Sequence, residues 1–151
     1  MSEALDGLFD SVDECKEKNH PCKSAKKNVH SIYKPDAGIK DIELKKRLFP
    51  NYGELEQPML CDCIVEFNDG THIQVEIKCG KVTNSLAKDV VIKLKNSLKV
   101  VNDKSIDISK NILIFDKFHE QQTRKFFTLS KNFIQGKPII LKEYKNKAIE
   151  I

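Results

Sequence analysis

The chain has 151 residues (17.3 kDa), 40% apolar and 32% charged, and its 26 Lys+Arg against 22 Asp+Glu give a formal net charge of +4. That supplies one hydrophobic core and excludes a two-domain enzyme. No stretch approaches the roughly 18 apolar residues of a membrane span, and residues 1–10 carry acids without a basic region, so no membrane partner is expected and the location is expected to be cytoplasmic.

Residues 3–18 place Leu5, Leu8, Phe9 and Val12 at helical spacing, an amphipathic helix. Asn19 to Lys40 holds Pro21, Pro35 and Gly38 without sustained periodicity and reads as a long loop or a partly ordered connection. Residues 1–39 are thus expected to be an N-terminal helix and long loop, and residues 40–151 the α/β core, in one globular domain overall. Residues 40–48 suit a short helix closed by Pro50 and Asn51-Tyr52-Gly53.

The clearest pattern is residues 59–79, MLCDCIVEFNDGTHIQVEIKC, two alternating runs around Asn68-Asp69-Gly70. A two-residue loop would mix apolar and polar side chains on both faces. A three-residue loop, with Gly70 in the left-handed position, pairs Phe67 with Thr71 and sets Asp62 opposite Glu76. One face is then Cys61, Cys63, Val65, Phe67, Ile73, Val75, Ile77 and Cys79, and the other Asp62, Ile64, Glu66, His72, Gln74, Glu76 and Lys78.

From about Thr83 to Val101 the period becomes 3.6, with Leu86, Val90, Val91, Leu94, Leu98 and Val101 on one helical face and Lys88, Lys95 and Lys99 on another. Residues 111–115 suit a buried strand, 119–133 a second helix and 138–144 a final strand. The fold class is α/β, a mixed sheet flanked by helices.

Charge is divided along the chain. Residues 1–77 contain 10 basic and 15 acidic residues, net −5, and residues 78–151 the other 16 and 7, net +9. Carboxylates in one half and ammonium groups in the other suit a partner made of phosphates and divalent cations; a solvated lysine-rich surface is the simpler alternative. The five cysteines (Cys15, Cys22, Cys61, Cys63, Cys79) are odd in number, and reduced thiols are expected. Cys61, Cys63 and Cys79 fall on the apolar hairpin face, as small buried thiols do, and Cys15, His20 and Cys22 match no common zinc spacing.

On the polar hairpin face, Asp62 and Glu76 lie across from each other with Lys78 two residues on. Cross-strand neighbours about 4.5–5.5 Å apart can share a hard cation such as Mg²⁺, and an adjacent lysine can orient water or offset transition-state charge. The alternative is a surface ladder of opposite charges.

Asp62 followed by Glu76-Ile77-Lys78 on the next strand resembles the PD-(D/E)xK nuclease superfamily, the restriction-endonuclease-like fold, over about residue 40 to the end. The resemblance implies an endonuclease that hydrolyses phosphodiester bonds in DNA with Mg²⁺, or Mn²⁺ in its place. Asp62, Glu76 and the Ile77 backbone carbonyl would be metal ligands and Lys78 the catalytic cation. By position Glu43 would be the acidic residue of the preceding helix, with Glu54 a weaker candidate. Cys61 stands where the family often has proline, and the Gln-x-x-x-Tyr element of its exonuclease-like branch is missing. The short chain suits structure-selective or weakly sequence-specific cutting, as in small Holliday-junction resolvases. Lys81, Lys88, Lys95, Lys99, Arg124 and Lys125 are the candidate nucleic-acid contacts. RNA stays open beside DNA, and cutting two strands leaves a homodimer open.

Overall fold

In the computed structural model, residues 3–12 and 28–143 are described. The elements are α1 (Glu3–Leu8), β1 (Asp10–Ser11), β2 (Val29–Lys34), α2 (Ile42–Leu48), β3 (Cys63–Phe67), β4 (His72–Val82), α3 (Asn84–Asp103), β5 (Lys110–Phe118), α4 (Gln121–Phe126) and β6 (Ile140–Glu143). The six strands form one mixed sheet in the order β1-β2-β3-β4-β5-β6. The first four are antiparallel neighbours, and β5 and β6 continue it in parallel. Parallel pairing of β4 with β5 needs a crossover, and α3 provides it.

The β3–β4 hairpin has the expected three-residue loop. Phe67 N–H donates to Thr71 O, and Gly70 has φ 87°, a value glycine reaches without a Cβ clash. Cys63 pairs with Val75 and Ile64 with Gln74, which carries Asp62 opposite Glu76. Thr83 caps α3 through its side chain to Leu86 N–H, as a Thr before an apolar-periodic run should.

The sheet separates two cores. On the α3 side, Leu5, Leu8, Phe9, Tyr33, Leu44, Ile64, Val90, Leu94, Val101, Leu113 and Phe115 pack into one cluster. On the opposite side Ile32, Cys63, Val65, Ile73, Val75, Ile112 and Ile114 form a second. Among the described residues no helix is long and apolar enough to cross a membrane.

Several expectations change. Residues 29–34, read as loop, are β2 within the sheet, and α1 is in the main core. The irregular register between Val29 and Ser31 interrupts the alternation that marks a strand. The first helix stops at Leu8, because Asp10 and Ser11 pair with Lys34 and Tyr33; residues 13–18 lie outside the described residues. The helix expected over 119–133 ends at Phe126. Thr128 Oγ and Asn132 Nδ2 donate to the Lys125 and Phe126 carbonyls, closing that helix end with side chains.

The cysteines also divide. Cys63 is disulfide-bonded, contrary to the expectation of reduced thiols, because a bridge depends on Cα proximity that sequence spacing does not reveal. Cys61 is a buried free thiol on the α3 side, and Cys79 is a free thiol exposed to solvent. Cys15, His20 and Cys22 lie outside the described residues.

Candidate active site

Asp62 and Glu76 meet across the hairpin as its register requires. Asp62 N–H donates to Glu76 Oε1 at 3.1 Å, and Ile77 N–H donates to Asp62 Oδ2 at 2.7 Å. On a strand the N–H and C=O of one residue point to the same side, so the Ile77 carbonyl also faces the Asp62 edge. The segment leading into Asp62 is stitched to neighbouring elements. Ser97 Oγ accepts from Cys61 N–H at 2.8 Å, Asn96 Nδ2 donates to Met59 O at 3.0 Å, and Asp36 N–H donates to Cys61 O at 3.1 Å.

The polar hairpin face is not a surface ladder. Because α3 lies over it, Glu66, His72, Gln74 and Glu76 are buried, and Glu76 has no exposed surface. Gln74 is satisfied by the Leu94 carbonyl at 3.1 Å and Asn111 Oδ1 at 2.7 Å. Glu76 is different. Its Oε2 accepts no aligned hydrogen bond, although Lys78 Nζ stands 3.7 Å away and Lys93 Nζ 3.2 Å away.

Burial, a hydrogen bond with Asp62 and the Asp62 charge push the Glu76 carboxyl up to about 8, against the opposing pull of Lys78 and Lys93. For Lys93, burial works against the charged form, but the Glu76 and Asp62 carboxylates outweigh it and hold its pKa above the ordinary lysine value. Burial drives the Cys61 thiol far above its usual range, which leaves it a packing group rather than a nucleophile.

Lys93 is the member that sequence reading missed. It sits at helical spacing with inward Val90 and Ser97, three residues after the one and four before the other, and both of those are buried. A lysine at the edge of an apolar stripe was the available signal. Glu43, by contrast, is not brought to the site. Leu44 and Lys45 form the buried side of α2, so Glu43 turns outward, 88% exposed and 3.9 Å from Lys46. No hydrogen bond or ion pair joins it to Asp62, Glu76, Lys78 or Lys93. Glu54 is likewise at the surface, 3.9 Å from the same Lys46.

The six candidate nucleic-acid contacts are all exposed, but they are not equivalent. Lys95 donates to the Lys131 carbonyl, while Lys99 donates to the Leu48 carbonyl and lies over the Phe49 ring. Arg124 stacks near Phe115 and Phe118. Lys81, Lys88 and Lys125 extend into solvent without such packing.

No known protein family, curated protein or solved structure matches the chain. Among the described residues, no three His, Cys, Asp or Glu side chains gather as a metal-binding group. Asp62 and Glu76 are therefore a carboxylate pair. The buried, unaligned Glu76 oxygen beside a second carboxylate nevertheless fits a hard divalent cation, which takes oxygen ligands and keeps several waters.

Proposed function

We propose that the protein is a Mg²⁺-dependent nuclease of restriction-endonuclease-like fold that hydrolyses phosphodiester bonds in DNA, with structure-selective or weakly sequence-specific cutting. The carrying observation is the buried Glu76 carboxyl, whose Oε1 takes the Asp62 N–H while Oε2, without an aligned hydrogen bond, is flanked by the Lys78 and Lys93 ammonium groups. A buried polar oxygen with no aligned donor is costly inside a protein unless a ligand completes its surroundings. The order of β3, β4, α3 and β5 agrees with what the resemblance implies.

Asp62, Glu76 and the Ile77 carbonyl would hold the cation, which when bound supplies Lewis acidity and a more acidic water. The chain's own groups supply the rest. Lys78, 17% exposed, stands between the buried carboxyl and solvent, where its ammonium can hold the attacking water and offset charge on the phosphate. In the hydrolysis a water oxygen bonds to phosphorus, one ester P–O bond breaks, and the water proton ends on the leaving oxygen. Exposed Lys81, Lys88 and Lys125 offer phosphate contacts.

The test is cleavage of labelled linear, nicked, single-stranded and four-way-junction DNA, and of RNA, in Mg²⁺, Mn²⁺ or EDTA. Metal-dependent cutting lost in Glu76→Ala and Lys78→Ala supports the nuclease. Salt-sensitive binding without cutting in any metal would support a silent nucleic-acid-binding domain instead. Sedimentation with and without DNA reads the homodimer.

A further inference from the structure

Among the described residues, two ammonium groups stand around Glu76, and they come from different elements. Lys78 lies on the same strand as Glu76, and Lys93 descends from α3 to the same oxygen, Oε2, at the shorter distance. Lys93 is held there by the body of the helix. Ser97, one turn on, donates its hydroxyl to the Lys93 carbonyl at 2.9 Å and accepts the N–H of Cys61, the residue before Asp62. The helix turn that carries Lys93 is thereby fastened to the strand that carries Asp62. Both ammonium-bearing side chains remain partly exposed, 17% for Lys78 and 21% for Lys93, so solvent reaches both while the Glu76 side chain between them is buried.

Charge balance gives the second lysine a role. With both carboxyls ionised, as holding a cation requires, Asp62 and Glu76 contribute −2 and Lys78 and Lys93 contribute +2, so the four side chains are then together neutral. A divalent cation would bring the site to +2. Attack of hydroxide on a phosphodiester creates a phosphorane-like arrangement of charge −2, which a site of +2 complements and a site with one lysine does not. We infer that Lys93 is a second catalytic cation of this site, contacting the non-bridging oxygens of the scissile phosphate while Lys78 holds the water. The inference rests on the nuclease reading.

The test compares Lys93→Met, which keeps the length and apolar stem, and Lys93→Arg with the intact chain. Three readouts are taken: cleavage, Mn²⁺ affinity in the absence of DNA, and thermal unfolding. Lys93→Met is expected to cut about 10²–10³-fold more slowly. It should bind Mn²⁺ at least as tightly as the parent, because a competing positive charge has left the carboxylates. Lys93→Arg should restore part of the rate. Cleavage by Lys93→Met within about threefold of the parent overturns the inference and leaves the nuclease standing. Joint loss of cleavage, Mn²⁺ affinity and thermal stability would also overturn it, by making Lys93 a support for Glu76. A parent protein that cuts nothing in any metal removes the nuclease reading itself and the inference with it.

Discussion

Two glutamates on the hairpin, Glu66 and Glu76, are fully buried on the same face of the sheet, and each keeps one oxygen without an aligned hydrogen bond. Their surroundings differ. Glu66 has His72 Nε2 at 2.8 Å and His30 Nε2 at 3.6 Å, ring nitrogens that can donate a hydrogen bond to it. Glu76 has a second carboxylate bonded to its own backbone neighbour, and two lysine ammonium groups at 3.2 and 3.7 Å. A lone buried acid needs one partner, and Glu66 has it. A pair of acids side by side, framed by cations that do not align with them, is an arrangement that a further positive ion would complete.

The largest effect expected from this contrast is on cleavage. Lys78→Ala should abolish it, by about 10³-fold or more, while circular dichroism and most DNA binding remain as in the parent. Cutting that persists in this variant would remove Lys78 from the mechanism.

The second is a pH dependence of stability belonging to Glu76. Its carboxyl is raised from 4.5 to about 8 in the fold, so between those values the native state holds a proton that the unfolded chain has released. The resulting stabilisation is complete below the unfolded value and disappears as pH rises through about 8, on the order of 4–5 kcal/mol at most. Chemical denaturation of metal-free protein at pH 5 and pH 8.5 should show this loss, and Glu76→Gln should flatten it. A parent protein equally stable at both values would mean that Glu76 is already ionised in the fold.

Next comes the response to Mg²⁺. At about a hundredfold excess over its dissociation constant a ligand stabilises the native state by about 2.7 kcal/mol. Mg²⁺ should raise the melting temperature of the parent at pH 8 and leave Glu76→Gln unmoved. Glu66→Gln should still respond, which separates the two acids; equal responses in both variants would place the cation elsewhere.

The smallest effect is on Glu66 itself. Glu66→Gln weakens the contact to His72 and should cost about 1–3 kcal/mol of stability, since a buried hydrogen-bonded partner loses its match. Cleavage per folded molecule should stay within about twofold. A loss as deep as that of Lys78→Ala would extend the active site along the strand to Glu66.

How much of this was legible beforehand depended on the range of the interactions. Asp62 opposite Glu76 follows from the loop length and from side chains that alternate every second residue, both local properties. Thr83 announces α3 in the same way, by a cap and an apolar stripe within one stretch of chain. Glu43 was misplaced because a position on a short helix does not state which side faces the sheet; Leu44 and Lys45 took the inward side. The helix expected after residue 119 was cut short by Thr128 and Asn132, whose side chains bond backbone carbonyls in ways that periodicity does not register.

The amino-acid sequence by itself therefore determined the hairpin, its register, the facing carboxylates and the long helix, because turn conformation and side-chain period act over a few residues. The tertiary structure decided that α3 would cover the polar face, that β2 would complete the sheet, and that Lys93 would reach Glu76. Those outcomes depend on how elements far apart in the chain share one core, and burial by a neighbouring helix turned an exposed row of charges into a confined site.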